Sequence, residues 1–237
     1  MNTAVVLAGG VGSRVGAALP KQFIEVLGKP IMIYTLEKFQ NNKNVDSIII
    51  VCVSEYMKLA KELCDKYEIT KVIRVVEGGE TFTDSCMNGV LGIPFENTEN
   101  DIVLISSADR PFVSDAEIDD SIEKCKLYGS GIAARPCSLC MFKVGEERSH
   151  SSQYLRDDLV QTATPWTFKR SKLVEALNMY KRGELADCEN YPVAIYAAAG
   201  NEIFFSVAYA DNFKITEKID VLLMEQILRM RRIDILE

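Results

Sequence analysis

Histidine is nearly absent from this 237-residue chain, with His150 the only one, and tryptophan occurs once, at Trp166. A lone histidine in the polar stretch 145–153 fits a Ser-His-Asp hydrolase poorly and would leave any zinc site all-cysteine. Positive charge is in deficit as well: 27 Lys and Arg against 34 Asp and Glu give a formal charge of −7. That balance argues against nucleic acid as a partner. No apolar run approaches a membrane span, and Met1-Asn2-Thr3 leads into an apolar run without a basic flank. A cytoplasmic chain with no membrane partner is therefore expected.

Seven cysteines, an odd number, make a disulfide framework a poor reading. Cys137-Ser138-Leu139-Cys140 spells C-x-x-C, but Ala133, Ala134, Leu139, Met141 and Phe142 around it suggest a strand, where positions three apart face opposite sides. The cysteines read as small buried hydrophobes rather than metal or redox groups.

Two familiar phosphate loops are missing. Gly10-Val11-Gly12 reaches its third glycine one residue late for G-x-G-x-x-G, at Gly16. Gly28-Lys29 is followed by Pro30 and has Phe23 where the P-loop needs glycine. A dinucleotide-dependent oxidoreductase also lacks its acidic residue at the end of the second strand, where Val51-Cys52-Val53-Ser54 leaves only Glu55 beyond it.

What the sequence does contain is an apolar run, Ala4-Val5-Val6-Leu7-Ala8, ending in Gly9-Gly10-Val11-Gly12-Ser13-Arg14-Val15-Gly16 and continuing to Leu19-Pro20-Lys21-Gln22-Phe23. Glycines let backbone N–H groups approach a phosphate closely. Arg14 and Lys21 add fixed positive charge inside an acidic protein. The segment reads as a strand-to-loop cradle for a polyphosphate.

The rest of the first half alternates. Strands are expected at 3–8, 46–53, 71–76 and 101–106, and helices at 31–40, 56–67, 83–91 and 115–128. This βα rhythm implies an α/β fold: one domain over 1–237, with a mostly parallel twisted sheet and helices on both faces. Ligands then bind at the carboxyl ends of the strands, where the first loop, the Gly78-Gly79 turn and the turn 106–111 would meet. After residue 130 the rhythm changes. Residues 133–153 look like an extended arm, 201–208 a strand and 218–231 a closing helix.

The pattern L-A-G-G-x-G-x-R-x-G…P-K-Q, continued by Gly28-Lys29-Pro30-Ile31 and Tyr34-Thr35-Leu36, resembles the signature of sugar-1-phosphate and polyol-phosphate nucleotidyltransferases. Its P-K-Q-F spelling is similar to the cytidylyltransferases of methylerythritol phosphate and ribitol phosphate. The resemblance runs nearly end to end. It implies a Rossmann-like nucleotidyltransferase fold, CTP and a polyol phosphate as substrates, a divalent cation such as Mg2+, and a homodimer in which a β-arm completes the partner's acceptor pocket.

By the same resemblance, the backbone of Leu7, Ala8, Gly9 and Gly10 faces the cytidine, and Gly12, Ser13, Arg14 and Lys21 hold the triphosphate. Gly79 and Ser85 match the turn contacting base and ribose, and Ala108 falls on the nucleotide side. Arg156-Asp157-Asp158-Leu159 followed by Thr164-Pro165-Trp166-Thr167-Phe168 resembles the family's arginine and its T-P-Q-x-F. That places Arg156 and Thr164, with Arg110, at the acceptor phosphate. Asp211-Asn212-Phe213-Lys214-Ile215-Thr216 resembles D-N-x-K-x-T, whose lysine reaches the α-phosphate. Arg14, Lys21, Arg156 and Lys214 are thus the catalytic candidates, and Asp109 and Asp211 the metal candidates.

Departures from the family pattern concentrate on the acceptor side. Where relatives carry H-D-A-x-R-P, this chain has Ser106-Ser107-Ala108-Asp109-Arg110-Pro111, with Ser107 at the metal-binding aspartate and a new Asp109 two residues on. Phe82 replaces an arginine after the Gly-Gly turn, Trp166 replaces the T-P-Q glutamine, and the arm's D-T pair is not recognisable. An altered acceptor wall favours ribitol 5-phosphate or a related alditol phosphate for surface polymers. Methylerythritol phosphate is the alternative substrate, and an inactive nucleotide-binding module the alternative of another class.

The chemistry suits a chain poor in histidine. An acceptor phosphomonoester is mostly ionised near neutrality, because its second pKa is about 6, so no general base is required. Arg14 and Lys21 both fall in the first loop, so their loss is expected to cost turnover more than stability. The arm's Ile132, Leu139, Met141 and Phe142 would need cover from another surface, which also points to a two-fold dimer with Arg156 or its neighbours acting across the interface.

Overall fold

The computed structural model describes residues 1–10, 19–96, 98–145, 150–185 and 188–233. Along the chain run β1 (Asn2–Ala8), β2 (Glu25–Val26), β3 (Lys29–Pro30), α1 (Ile31–Asn41), β4 (Ser47–Cys52), α2 (Met57–Lys66), β5 (Val72–Glu77), α3 (Phe82–Leu91), β6 (Ile102–Ser107) and α4 (Asp115–Tyr128). They are followed by β7 (Ser130–Pro136), β8 (Met141–Val144), β9 (His150–Tyr154), β10 (Val160–Lys169), α5 (Arg170–Lys181), α6 (Pro192–Ala198), β11 (Phe205–Val207) and α7 (Lys218–Ile233).

Seven strands form the central sheet in the order β11-β7-β10-β6-β1-β4-β5. All its neighbour pairs are parallel except the two made by β10, which runs antiparallel to β6 and β7. The α/β, mostly parallel architecture expected from the sequence is therefore present. Strand alternation supplies both faces. Ala4, Val6 and Ala8 pack with Leu36, Phe39 and Ile118 under α1 and α4. Val5 and Leu7 pack on the other side with Val90, Leu173 and Ile195 of α3, α5 and α6. No helix among the described residues is long and apolar enough to cross a membrane.

Local chemistry fixes the helices that matter for the site. The Ser114 hydroxyl accepts from the Glu117 amide, and the Glu117 carboxylate accepts from Ser114 in return, closing a capping box at the start of α4. Gly129 at φ 96° ends that helix, a left-handed conformation that glycine adopts without steric cost. Thr81 and Asp84 make the same box for α3.

The second half departs from expectation. β7 belongs to the central sheet, paired with β10 and β11, so the arm does not begin at 133. What leaves the sheet is the hairpin of β8 and β9. Cys137 to Cys140 lie in the turn between β7 and β8 rather than in a strand; Cys137 is buried and Cys140 exposed. Cys52, Cys64, Cys86 and Cys125 are buried as expected, and burial pushes the Cys52 thiol up to about 11 and that of Cys64 to about 12. The strand expected over 201–208 is confined to Phe205–Val207. β10, α5 and α6 have no counterpart in the sequence reading.

Candidate active site

Parallel strands bring their carboxyl ends to one edge, and there the expected loops meet. Leu7, Gly9, Gly10, Gly79, Ser107 and Asp109 share a cavity of about 380 Å³. Ser85, Ala108, Lys21 and Lys214 line it too. Ala8 does not: its side chain is buried and its carbonyl accepts from the Gln22 side-chain amide at 2.5 Å. Gly12, Ser13 and Arg14 lie outside the described residues.

The turn before α3 is built around close approach. The Gly79 amide donates to the Ser85 hydroxyl at 3.0 Å, and a Cβ at Gly79 would collide with the Cβ of Asp84. Thr81, Phe82 and Ser85 bring the first turn of α3 to the cavity wall, where helix amides and the macrodipole favour negative charge. The Ala108 amide donates to the Leu7 carbonyl at 2.9 Å, tying the ends of β1 and β6 together.

Lys21 is not an exposed loop lysine. A single 3-10 turn, Lys21–Phe23, buries it. Its Nζ lies 2.6 Å from Asp109 Oδ2 and donates to the Ile215 carbonyl at 2.6 Å. Both partners of the ion pair are under one-tenth exposed. Removing the lysine would leave a buried carboxylate unpaired, so its loss is expected to cost stability as well as turnover.

The pair also bears on a metal. Among the described residues no group of three or more His, Cys, Asp or Glu could hold an ion. Asp109 Oδ1, however, is buried beside the cavity without a hydrogen-bond partner among the described residues. One carboxylate plus phosphate oxygens and water is a usual setting for magnesium, so Asp109 fits. Asp211 does not: its carboxylate is about half exposed, accepts from Arg231 at 2.9 Å and is not among the cavity's lining residues.

A second, smaller cavity of about 280 Å³ is lined by Arg110, Arg135, Gln161, Asn212 and Lys214, among others. Among the described residues, Lys214 is the one that lines both cavities. Its loop is held from below by buried Glu117. One carboxylate oxygen caps α4, while Oε1 accepts from the Tyr209 amide and the Asn212 side-chain amide, each at 2.9 Å. Arg110 Nη1 donates to the Asn212 carbonyl at 2.7 Å. Burial lowers the Arg110 pKa; Asp109 and Glu117 oppose that shift, and Arg135 adds to it.

Two expected acceptor residues are placed elsewhere. Thr164 is turned inward, its hydroxyl 3.0 Å from that of Ser106 and its carbonyl accepting from Asn212. It supports the cavity instead of lining it. Arg156 sits exposed in a short turn after β9, 3.8 Å from Asp157, and lines neither cavity. Sequence reasoning passed over Gln22, Thr81, Thr216 and Arg135. Gln22 was legible in P-K-Q, but nothing local marked Arg135, which precedes a proline in a segment read as arm.

A crevice over the ends of parallel strands, with a glycine turn and two lysines, defines a nucleotidyltransferase-type site. The fold agrees: 4-diphosphocytidyl-2C-methyl-D-erythritol synthase from Anaerococcus prevotii DSM 20548 superposes with a TM-score of 0.81 over 97% of this chain and 96% of that one, at 21% identity. The IspD model, 2-C-methyl-D-erythritol 4-phosphate cytidylyltransferase, matches residues 2–230. Over 232 residues, 96% of each chain, the sequence is 34% identical to a ribitol-5-phosphate cytidylyltransferase of Vibrio parahaemolyticus serotype O3:K6. It is 31% identical over 229 residues, again 96% of each chain, to a 2-C-methyl-D-erythritol 4-phosphate cytidylyltransferase of Clostridium novyi (strain NT). The chain belongs to the IspD family and is a cytidylyltransferase.

Proposed function

We propose that this enzyme transfers CMP from CTP to ribitol 5-phosphate or a related alditol phosphate, giving a CDP-alditol and pyrophosphate. The observation that carries the reading is the pair of cavities meeting at Lys214. The strand-end cavity takes the nucleotide and the arginine-lined one the acceptor. An acceptor phosphate oxygen attacks the α-phosphorus, a new P–O bond forms, and the bond to the β-phosphate breaks.

Lys214 sits where negative charge accumulates in that step, and Lys21 and Arg14 hold the departing pyrophosphate. Each such contact is worth about 2.7–4 kcal/mol in the transition state. Asp109 Oδ1 would hold magnesium together with phosphate oxygens. The bound ion would neutralise part of the triphosphate charge. Full turnover in excess EDTA would contradict this.

The exposed apolar side chains Leu139, Met141, Val144 and Leu155 around the β8–β9 hairpin support a two-fold dimer. Arg156 would reach the partner's acceptor cavity there. Free thiols suit a cytoplasmic enzyme.

Methylerythritol phosphate is the second reading, favoured by the family match over 2–230. Pyrophosphate release with CTP and a panel of ribitol 5-phosphate, other alditol phosphates and 2-C-methyl-D-erythritol 4-phosphate separates the two. The highest kcat/KM is expected with an alditol phosphate. A clear preference for methylerythritol phosphate would overturn the proposal, and equal turnover of UTP or ATP would reject the base assignment.

A further inference from the structure

We propose that Arg135 binds the phosphate of the acceptor, acting as the second guanidinium of a subsite it forms with Arg110 and Lys214. The proposal rests on the two-cavity reading above and deepens it. Arg135 is opposite Gln161 in the β7–β10 register, so the two side chains emerge on the same face. Arg135 Nε donates to Gln161 Oε1 at 3.2 Å, which fixes the plane of the guanidinium at the cavity wall.

The electrostatics of this cavity call for an anion. Among the described residues no carboxylate lies within ion-pair distance of Arg110 or Arg135. Burial is the main reason Arg110 holds its proton less tightly; Asp109 and Glu117 oppose that shift, and the like charge of Arg135 adds to it. Arg110 Nε is buried with no acceptor among the described residues, a donor that an anion at this cavity would satisfy. Two like charges and an orphaned donor in a protein of net charge −7 are relieved together by one dianion. A phosphomonoester offers three oxygens to such a set, and planar guanidinium groups match them in pairs.

The remaining polar groups suit a polyol. Asn212 uses its amide nitrogen for Glu117 and the Thr164 carbonyl, while its Oδ1 is buried at the same cavity without a partner among the described residues. A chain hydroxyl would supply that missing donor. The competing occupant is the pyrophosphate end of CTP, approached through Lys214 from the other side.

The test uses the full-length enzyme and the variants Arg135→Gln and Arg135→Lys. With CTP and the best alditol phosphate of the panel, Arg135→Gln should raise acceptor KM on the order of tenfold or more while CTP KM stays within about twofold. Arg135→Lys should recover part of the loss. An increase confined to CTP KM would assign the arginine to pyrophosphate and overturn the proposal, as would an unchanged acceptor KM. Calorimetric titration with inorganic phosphate, without CTP, makes the result independent of which acceptor is turned over. Wild type should bind it, and Arg135→Gln should bind on the order of tenfold more weakly. Equal binding by the two, or none by wild type, would overturn the subsite even if ribitol 5-phosphate proves to be the substrate. Conversely, a phosphate effect without turnover of any alditol phosphate would keep the subsite and reject the acceptor.

Discussion

The two cavities are built from different material. Around the strand-end cavity the walls are the ends of β1 and β6 and the first turn of α3, where small residues such as Gly9, Gly10, Gly79 and Ala108 stand beside Lys21, Phe82 and Asp109. Around the acceptor cavity the walls come from β7, β10 and the loop before α7, and the contacts are long side chains: Arg110, Arg135, Gln161 and Lys214. The departures from the family pattern do not keep to the second wall, where they were expected: Phe82, Ser107 and Asp109 line the first cavity and Trp166 neither of the two.

The largest expected effect tests the junction. Lys214→Ala should lower kcat by about 10²–10³ with little change in melting temperature, because Lys214 is exposed. Lys21→Ala should lower both, since breaking a buried pair such as the one with Asp109 costs about 3–5 kcal/mol. Thermal unfolding alongside steady-state kinetics checks the contrast. A stable Lys21→Ala enzyme would show that the buried pair does not support the fold.

Next comes the hairpin. Replacing residues 141–154 by a short Gly-Ser linker should leave CTP binding intact and lower acceptor turnover on the order of tenfold or more, as expected for losing a charged contact from a partner. Light scattering should show a monomer. A dimer with full activity would remove the arm from the acceptor site.

Smaller changes sharpen the division of labour. Gly79→Ala forces Cβ against Asp84 and should raise CTP KM while sparing acceptor KM. Glu117→Gln should do the reverse, since its carboxylate supports the Asn212 loop, and should cost roughly 1–3 kcal/mol of stability. Both are read by varying one substrate at saturating levels of the other. The smallest effect belongs to Cys140→Ser, an exposed position, expected within about 0.5 kcal/mol of wild type by denaturant titration.

The parallel half of the fold was legible because β1, β4 and β6 are largely apolar runs bounded by turn residues, and β5 is interrupted only by Arg74. β1, β4, β5 and β6 fall within one residue of the ranges expected at either end. α4 matches its expected limits, because Ser114, Glu117 and Gly129 announce both ends. β10 was not legible: Val160–Lys169 mixes Gln161, Thr162 and Thr164 with Pro165, and only its antiparallel seat between β6 and β7 makes it a strand. The site followed the same line. Lys21, Gly79 and Lys214 were readable from local motifs, whereas Arg135 enters through a cross-strand pairing with Gln161 that no local pattern records. Asp211 stands in a readable motif, yet its carboxylate pairs with Arg231, twenty residues on.

Pro136 and Val160 are register partners in the β7–β10 ladder. The chain therefore leaves the sheet and returns to it at a single rung. Everything between those two residues can be lengthened, shortened or exchanged for the loop of a relative without moving a strand of the core. Any contact the hairpin makes to a second subunit would travel on that interchangeable cassette, while the residues of both cavities stay with the chassis. A chimera made at that rung would exchange the hairpin in a single cut and leave Arg110, Arg135 and Lys214 in place.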